Sequence, residues 1–216
     1  MAVQPFASAG APSRERILEV AATLFGRHGF DGVTTRRIAA AAGLNVATVA
    51  HHTGSKAALY QAVFERAAAQ ESALLDAALA GVTDADLADP HRVHAVLRDL
   101  VDAYVDVLRD DASLAGLWSR RWLERGAVGD DDIEERFARP LFARVECLLV
   151  RARELGSIGP VDAHLAVKSV VWISYGWFTG GLVEDGGSDV RDDAQLARLR
   201  RFLHGVVASL LGPVPA

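Results

Sequence analysis

The sequence predicts an all-α fold, and three observations carry that expectation. Apolar residues recur at helical spacing through nearly the whole chain. The breaks between these runs fall at glycines, at Asp-Pro and Gly-Pro pairs, and at residues that cap helices. No segment needs the two-residue alternation of a half-buried strand. About nine helices are expected, the first three forming a small head and the rest a larger helical body.

From Ser13 onward, Ile17, Val20, Ala21, Leu24 and Phe25 share one helical face, with Ser13 as cap and Gly29 as a left-handed stop. After a turn at residues 30–33, Thr34 caps a second helix reaching Ala42, which Gly43 breaks. Asn45 caps a third short helix, Val46 to His52, and Ser55 a fourth that begins at Lys56. The fourth runs to Gly81, so it serves as the last helix of the head and the first of the body. The polar stretch VTDADLADP reads as a loop, and Asp89-Pro90 has the cap and first-turn signature of the next helix, to about Leu108. Ser113 to Glu124 forms another. Pro140 must kink the helical pattern of residues 130–155 or start it afresh. A very apolar helix from Asp162 to about Leu182 and a last helix from about Asp192 to Leu211 complete the chain. The domain expectation is a disordered arm at 1–12, a helix-turn-helix DNA-binding domain at 13–60, and an effector-binding and dimerisation domain at 61–216.

At 216 residues and 50% apolar content the chain can bury a substantial core. No apolar run reaches the roughly 18 residues of a membrane span, and the N-terminus has neither the basic nor the apolar region of a signal peptide, so a soluble, cytoplasmic protein is expected. The single Cys147 cannot close an internal disulfide and reads as a small packed hydrophobe. The net charge of −5 is uneven: residues 1–66 hold seven Lys/Arg against four acids, a balance of +3, which leaves −8 for the remainder. A mildly basic head on an acidic body is the distribution of a nucleic-acid-binding module joined to a non-binding one.

Two short helices joined at a glycine turn are the geometry that places a helix in the DNA major groove, about 12 Å wide. The N-terminal residues of the second would meet base edges: Asn45 and Thr48 by hydrogen bonding, Val46 and Ala47 against a thymine methyl. Arg36 is placed to reach a base or a phosphate, and the Thr34 and Thr35 hydroxyls to reach phosphate. Lys56 and the backbone N–H groups beside it form an anion site at a helix start. Arg14 and Arg16 can track the DNA backbone.

The text ILEVAATLFGRHGFDGVTTRRIAAAAGLNVATVAHHTGSKAALYQAVF resembles the DNA-binding head of the tetracycline-repressor (TetR) family of bacterial regulators. The resemblance is carried by Gly29-Phe30, Thr34-Thr35, the Ile38-Ala39-x-x-Ala42-Gly43 turn and the Gly54-Ser55-Lys56-x-x-Leu59 cap. It implies an all-α homodimer that binds an inverted repeat in double-stranded DNA, with a small-molecule pocket in the body and the last two long helices at the dimer interface. The chain departs from the family at Ala50, where a tyrosine is usual, and at Thr53, where a phenylalanine is usual; the resemblance then implies that one of the remaining His51 and His52 replaces the phosphate contact that the tyrosine makes.

In the body, Trp118 and Trp122 with Arg121 between them, and Tyr104 on the preceding helix, are the candidate lining of that pocket; the effector's class does not follow. The helix around Ser169 to Gly181 is apolar nearly all round, and a second copy would bury it through Trp172, Tyr175 and Gly176, with Phe202, Val206 and Leu210 of the last helix beside them. A metal at His51-His52 is disfavoured because adjacent helical residues point about 100° apart. His91 and His94 have no third ligand nearby. The acidic run 130–135 resembles one half of a magnesium motif of all-α enzymes but has no second half, so no metal, cofactor or catalytic activity is expected. An all-α metal-dependent enzyme and a regulator acting mainly by protein contacts are the alternatives.

Overall fold

The computed structural model describes residues 13–124, 133–180 and 189–212. The expected arm at 1–12, the first part of the acidic run, and Gly181 lie outside these residues. The described elements are α1 (Ser13–His28), α2 (Thr35–Ala42), α3 (Val46–Thr53), α4 (Lys56–Ala78), α5 (Asp84–Ala88), α6 (Pro90–Asp110), α7 (Ser113–Leu123), a π-helical turn (Glu134–Ala138), α8 (Arg139–Glu154), α9 (Ala163–Gly180) and α10 (Asp193–Leu211). No strand occurs among the described residues.

The helix starts are set locally. Thr34 Oγ accepts from the Arg37 N–H, Asn45 Oδ1 from Thr48, and Ser55 Oγ from Ala58, each satisfying a donor that the first turn leaves unpaired. Gly29 and Gly43 take positive φ where α1 and α2 end. The short helix α5, absent from the expected set, corrects the loop expected over VTDADLADP. Thr83 accepts from the Asp86 N–H, and Asp86 returns a bond to the Thr83 N–H, so a capping box starts one helical turn there. Pro140 sits in the first turn of α8, where its missing N–H costs nothing, and the π-helical turn precedes it.

Two apolar clusters hold the chain together. The first joins Ile17, Phe25, Ile38, Val49 and Phe64 of the head to Leu114, Leu117, Trp118 and Tyr175 of the body. The second gathers Val93, Leu97 and Val105 of α6 with Leu148 of α8 and Leu196, Leu199 and Leu203 of α10. The boundary expected near residue 60 therefore falls inside α4, and across it the head and body share one core. Where α1 crosses α7 the backbones nearly touch: a Cβ on Gly26 would stand 3.0 Å from the Leu117 nitrogen. Glycine there lets Phe25 and Trp118 bury on either side of the contact.

Gly26→Val would force the α1–α7 crossing apart, and we expect a loss of about 2 kcal/mol or more, measurable by urea unfolding. Unchanged stability would show that the close approach is not required.

Candidate nucleic-acid interface and ligand cavity

The position of α3 follows from what lies beneath it. Ile38, Ala39, Ala42 and Val49 are buried against α1, and the Arg16 guanidinium donates to the Ala42 carbonyl at the end of α2. Arg16 thus closes the turn from within, a role different from the expected tracking of a DNA backbone. With one side of α3 fixed, Asn45, Val46, Ala47, Ala50, His51 and His52 face solvent, and Thr48 is half-buried.

The caps decide what these side chains can still offer. Asn45 Oδ1 receives both the Thr48 N–H (2.7 Å) and the Thr48 hydroxyl (3.0 Å), which leaves the Asn45 amide NH2 as its donor toward a base. Thr34 spends a lone pair on its cap and keeps its hydroxyl proton. Thr35 is half-buried beside it, and Arg36 is exposed. Arg37 turns back to α1, its guanidinium 2.7 Å from His28 Nε2. Desolvation, then Arg37 and the other nearby arginines, lower the His28 pKa, so the ring accepts from Arg37 as a neutral imidazole.

Lys56 does not hang free at the start of α4. Its ammonium lies 4.0 Å over the Phe30 ring, which meets Tyr60 edge-on at 5.0 Å. The aromatic stack holds the positive charge beside the turn into α4. At the two positions of departure, Ala50 is exposed and the Thr53 hydroxyl donates 2.8 Å to the Val49 carbonyl of its own helix. His51 and His52 contact edge to face at 5.4 Å.

In the body, a cavity of about 120 Å3 opens between α4, α6, α8, α9 and α10, several times what one water needs. Of the four residues expected to line it, Tyr104 does. The other three are corrections. Trp118 is in the core, its ring centroid 4.8 Å from Phe64, Arg121 is buried beside Glu134, and Trp122 packs on Tyr175 at 5.3 Å. Their i, i+4 spacing marks a core face, since α7 turns it toward α1 and α9.

The cavity's charged residue is one the sequence reading passed over. Glu71 of α4 continues the register of Phe64 and Ala67 toward Leu75, a lone acid on an apolar face, and that interruption was the available signal. It is 7% exposed; its Oε1 accepts from the Tyr175 hydroxyl (3.1 Å) and its Oε2 from Trp118 Nε1 (3.3 Å). Burial pushes its pKa up to about 7, the two hydrogen bonds only partly opposing this.

Of the residues expected at a dimer face, Trp172 (48%) and Phe202 (59%) are exposed on α9 and α10, as is Gly176. Val206 and Leu210 are half-buried, and Leu210 also lines the cavity. Tyr175 is a correction: with Val171 it takes the inward face of α9, where Glu71 receives its hydroxyl. Among the described residues no helix is long and apolar enough to cross a membrane, and no group of three or more His, Cys, Asp or Glu could hold a metal.

A glycine turn over buried helix faces, an outward-facing short helix and a helical body around an apolar cavity define a helix-turn-helix protein with an appended helical domain. Residues 17–63 match the family described as bacterial regulatory proteins, tetR family. The HTH-type transcriptional repressor AcnR of Corynebacterium glutamicum is 30% identical over 131 residues, 59% of this chain and 65% of the relative. The HTH-type transcriptional regulatory protein RaaS of Mycobacterium tuberculosis is 53% identical over 55 residues, 26% of each chain. A crystal structure of AibR in complex with isovaleryl coenzyme A and operator DNA superimposes with a TM-score of 0.69 at 18% identity, over 94% of this chain and 100% of the other. This chain thus matches slightly under two thirds of the AcnR length, and the likeness to AibR is one of fold.

Glu71 gives a pH test. Its folded pKa lies above its unfolded value of 4.5, so the stability it contributes when protonated is complete below about pH 4.5 and is lost as pH rises through about 7. Relative to Glu71→Gln, which does not titrate, the wild type should lose about 3 kcal/mol across that window, read by urea unfolding at successive pH values. A difference that stays flat with pH would contradict the buried, water-stripped carboxylate.

Proposed function

We propose that this protein is a homodimeric transcriptional regulator, a repressor that leaves a palindromic operator when a small molecule enters the body. The observation that carries the reading is the placement of α3, whose polar N-terminus faces solvent on a head that shares its core with the cavity-bearing body. The names of the relatives support it: AcnR is a transcriptional repressor, and AibR was crystallised with both an acyl-coenzyme A and operator DNA. In this reading Asn45, Val46, Ala47 and Thr48 meet base edges, while Thr34, Thr35, Arg36, His51, His52 and Lys56 hold phosphates. The protein works in the cytoplasm, where its DNA is, and carries out no catalysis.

Two heads are needed because one short helix makes few base contacts, and half-sites one helical turn apart, about 34–36 Å, add their energies. The exposed Trp172 and Phe202 on neighbouring helices supply the apolar face for a second copy. A ligand that fits the cavity better in one arrangement of body helices shifts the population toward a head spacing that misses the second half-site.

Selection on random DNA should enrich an inverted repeat, and affinity for it should fall steeply with salt. Arg36→Ala should weaken binding and lower the salt slope by about one, the signature of a lost phosphate contact. Enrichment of no repeat would overturn the role given to α3. For the assembly, sedimentation at micromolar concentration should give twice the chain mass, and a Trp172→Asp, Phe202→Asp double variant should give the single mass. A monomeric wild type would remove α9 and α10 as an interface.

A further inference from the structure

The cavity wall is chemically one-sided. Among the described lining residues, aliphatic side chains such as Leu97, Leu100, Val101, Val167 and Val207 dominate, Glu71 is the one charged group, and the Tyr104 hydroxyl is the other polar side chain. Lysine, arginine and histidine are absent from that lining. A carboxylate or phosphate head placed there would meet a buried acid with no counter-charge beside it, which a low-dielectric wall penalises heavily. Purely apolar molecules would leave Glu71 as it stands and gain nothing from it.

We infer that the cavity takes an organic monocation, an apolar body bearing one positively charged nitrogen that is held against the Glu71 carboxylate. The geometry supports this from both sides. Tyr175 and Trp118 each give one hydrogen bond, one to each carboxylate oxygen, and a carboxylate has about four acceptor positions, so each oxygen keeps another for a partner in the cavity. The Tyr104 ring, on the wall beside Glu71, adds an aromatic surface that favours a cation over a neutral or anionic head. The apolar remainder, aliphatic apart from Phe142, buries the body of the ligand and fixes its orientation. An ion pair inside the cavity also offsets the desolvation of a carboxylate that is otherwise costly to keep buried. The inference deepens the reading of the protein as a ligand-responsive regulator and rests on it.

Three probes of equal chain length separate the classes: octyltrimethylammonium, octanol and octanoate, titrated calorimetrically into the full-length protein without DNA. Octylamine, as a primary ammonium, tells a head that needs hydrogen bonds from one that needs only charge. The ammonium probes should saturate one site per chain and bind about tenfold or more tighter than the alcohol and the carboxylate. Glu71→Gln should cost the ammonium probes about tenfold while leaving octanol within about twofold. Val167→Trp, which fills the cavity, should abolish binding of all of them, and circular dichroism checks that both variants fold. An ammonium bound no tighter than octanol, an ammonium bound equally well by Glu71→Gln, tightest binding of octanoate, or binding that survives Val167→Trp would each overturn the inference. The ranking on the wild type decides the matter even if Glu71→Gln misfolds. Since DNA is absent from the titration, an ammonium that binds as expected yet leaves operator binding unchanged would contradict the regulator reading and leave the ligand class intact.

Discussion

The crossing of α1 over α7 at Gly26 and Gly116 is the contact on which the rest of the structure depends. A head of three short helices is too small to bury much on its own, and here it does not have to. With no side chain at the crossing, α1 settles onto α7 closely enough that Phe25, Phe64 and Trp118 pack as one cluster. The same contact places α7 so that Trp118 Nε1 meets Glu71 on α4. A charged tie lies at the edge of this core: Arg66 of α4 pairs with Glu15 of α1 and, at 3.2 Å, with Asp111 at the turn into α7. Three elements that carry the head are therefore fixed to one another both by apolar packing and by one half-buried guanidinium.

Through α4 this arrangement runs on to the cavity. The helix starts beside α3 with Lys56 over Phe30 and reaches the cavity wall at Glu71, all within one continuous element. Glu71 bonds to α7 and α9 at once, so any ligand that competes for its carboxylate also acts on helices whose packing supports the head. Coupling between the cavity and α3 needs only a rigid helix and a shared core, since a close-packed interior passes small displacements on rather than absorbing them.

Much of the head is legible in the sequence because its devices are local. Thr34, Asn45 and Ser55 cap the helices they precede, and Gly29 and Gly43 end the ones they follow, since each of these is decided within three or four residues. Thr83-x-x-Asp86 was equally local, but it lies in a stretch so polar that it reads as a loop. Arg16 illustrates the limit: near the chain start it reads as a DNA-backbone cation, yet its partner is the Ala42 carbonyl, 26 residues away. The body was harder still. Trp118 and Trp122 share a helical face by spacing, and spacing alone does not say whether that face borders a cavity or a core.

The sequence by itself determined the helices, their caps, and the resemblance of residues 17–63 to a known DNA-binding head, since helical periodicity and capping depend on neighbours a few residues apart. The tertiary structure decided which side chains meet across long separations. It turned Tyr175 inward while leaving Trp172 exposed, placed Trp118 in the core, and set Glu71 as the charged group on an apolar cavity wall. Those outcomes hinge on which helix faces which. Partners 47 and 104 residues from Glu71 in the chain have no local signature in the sequence.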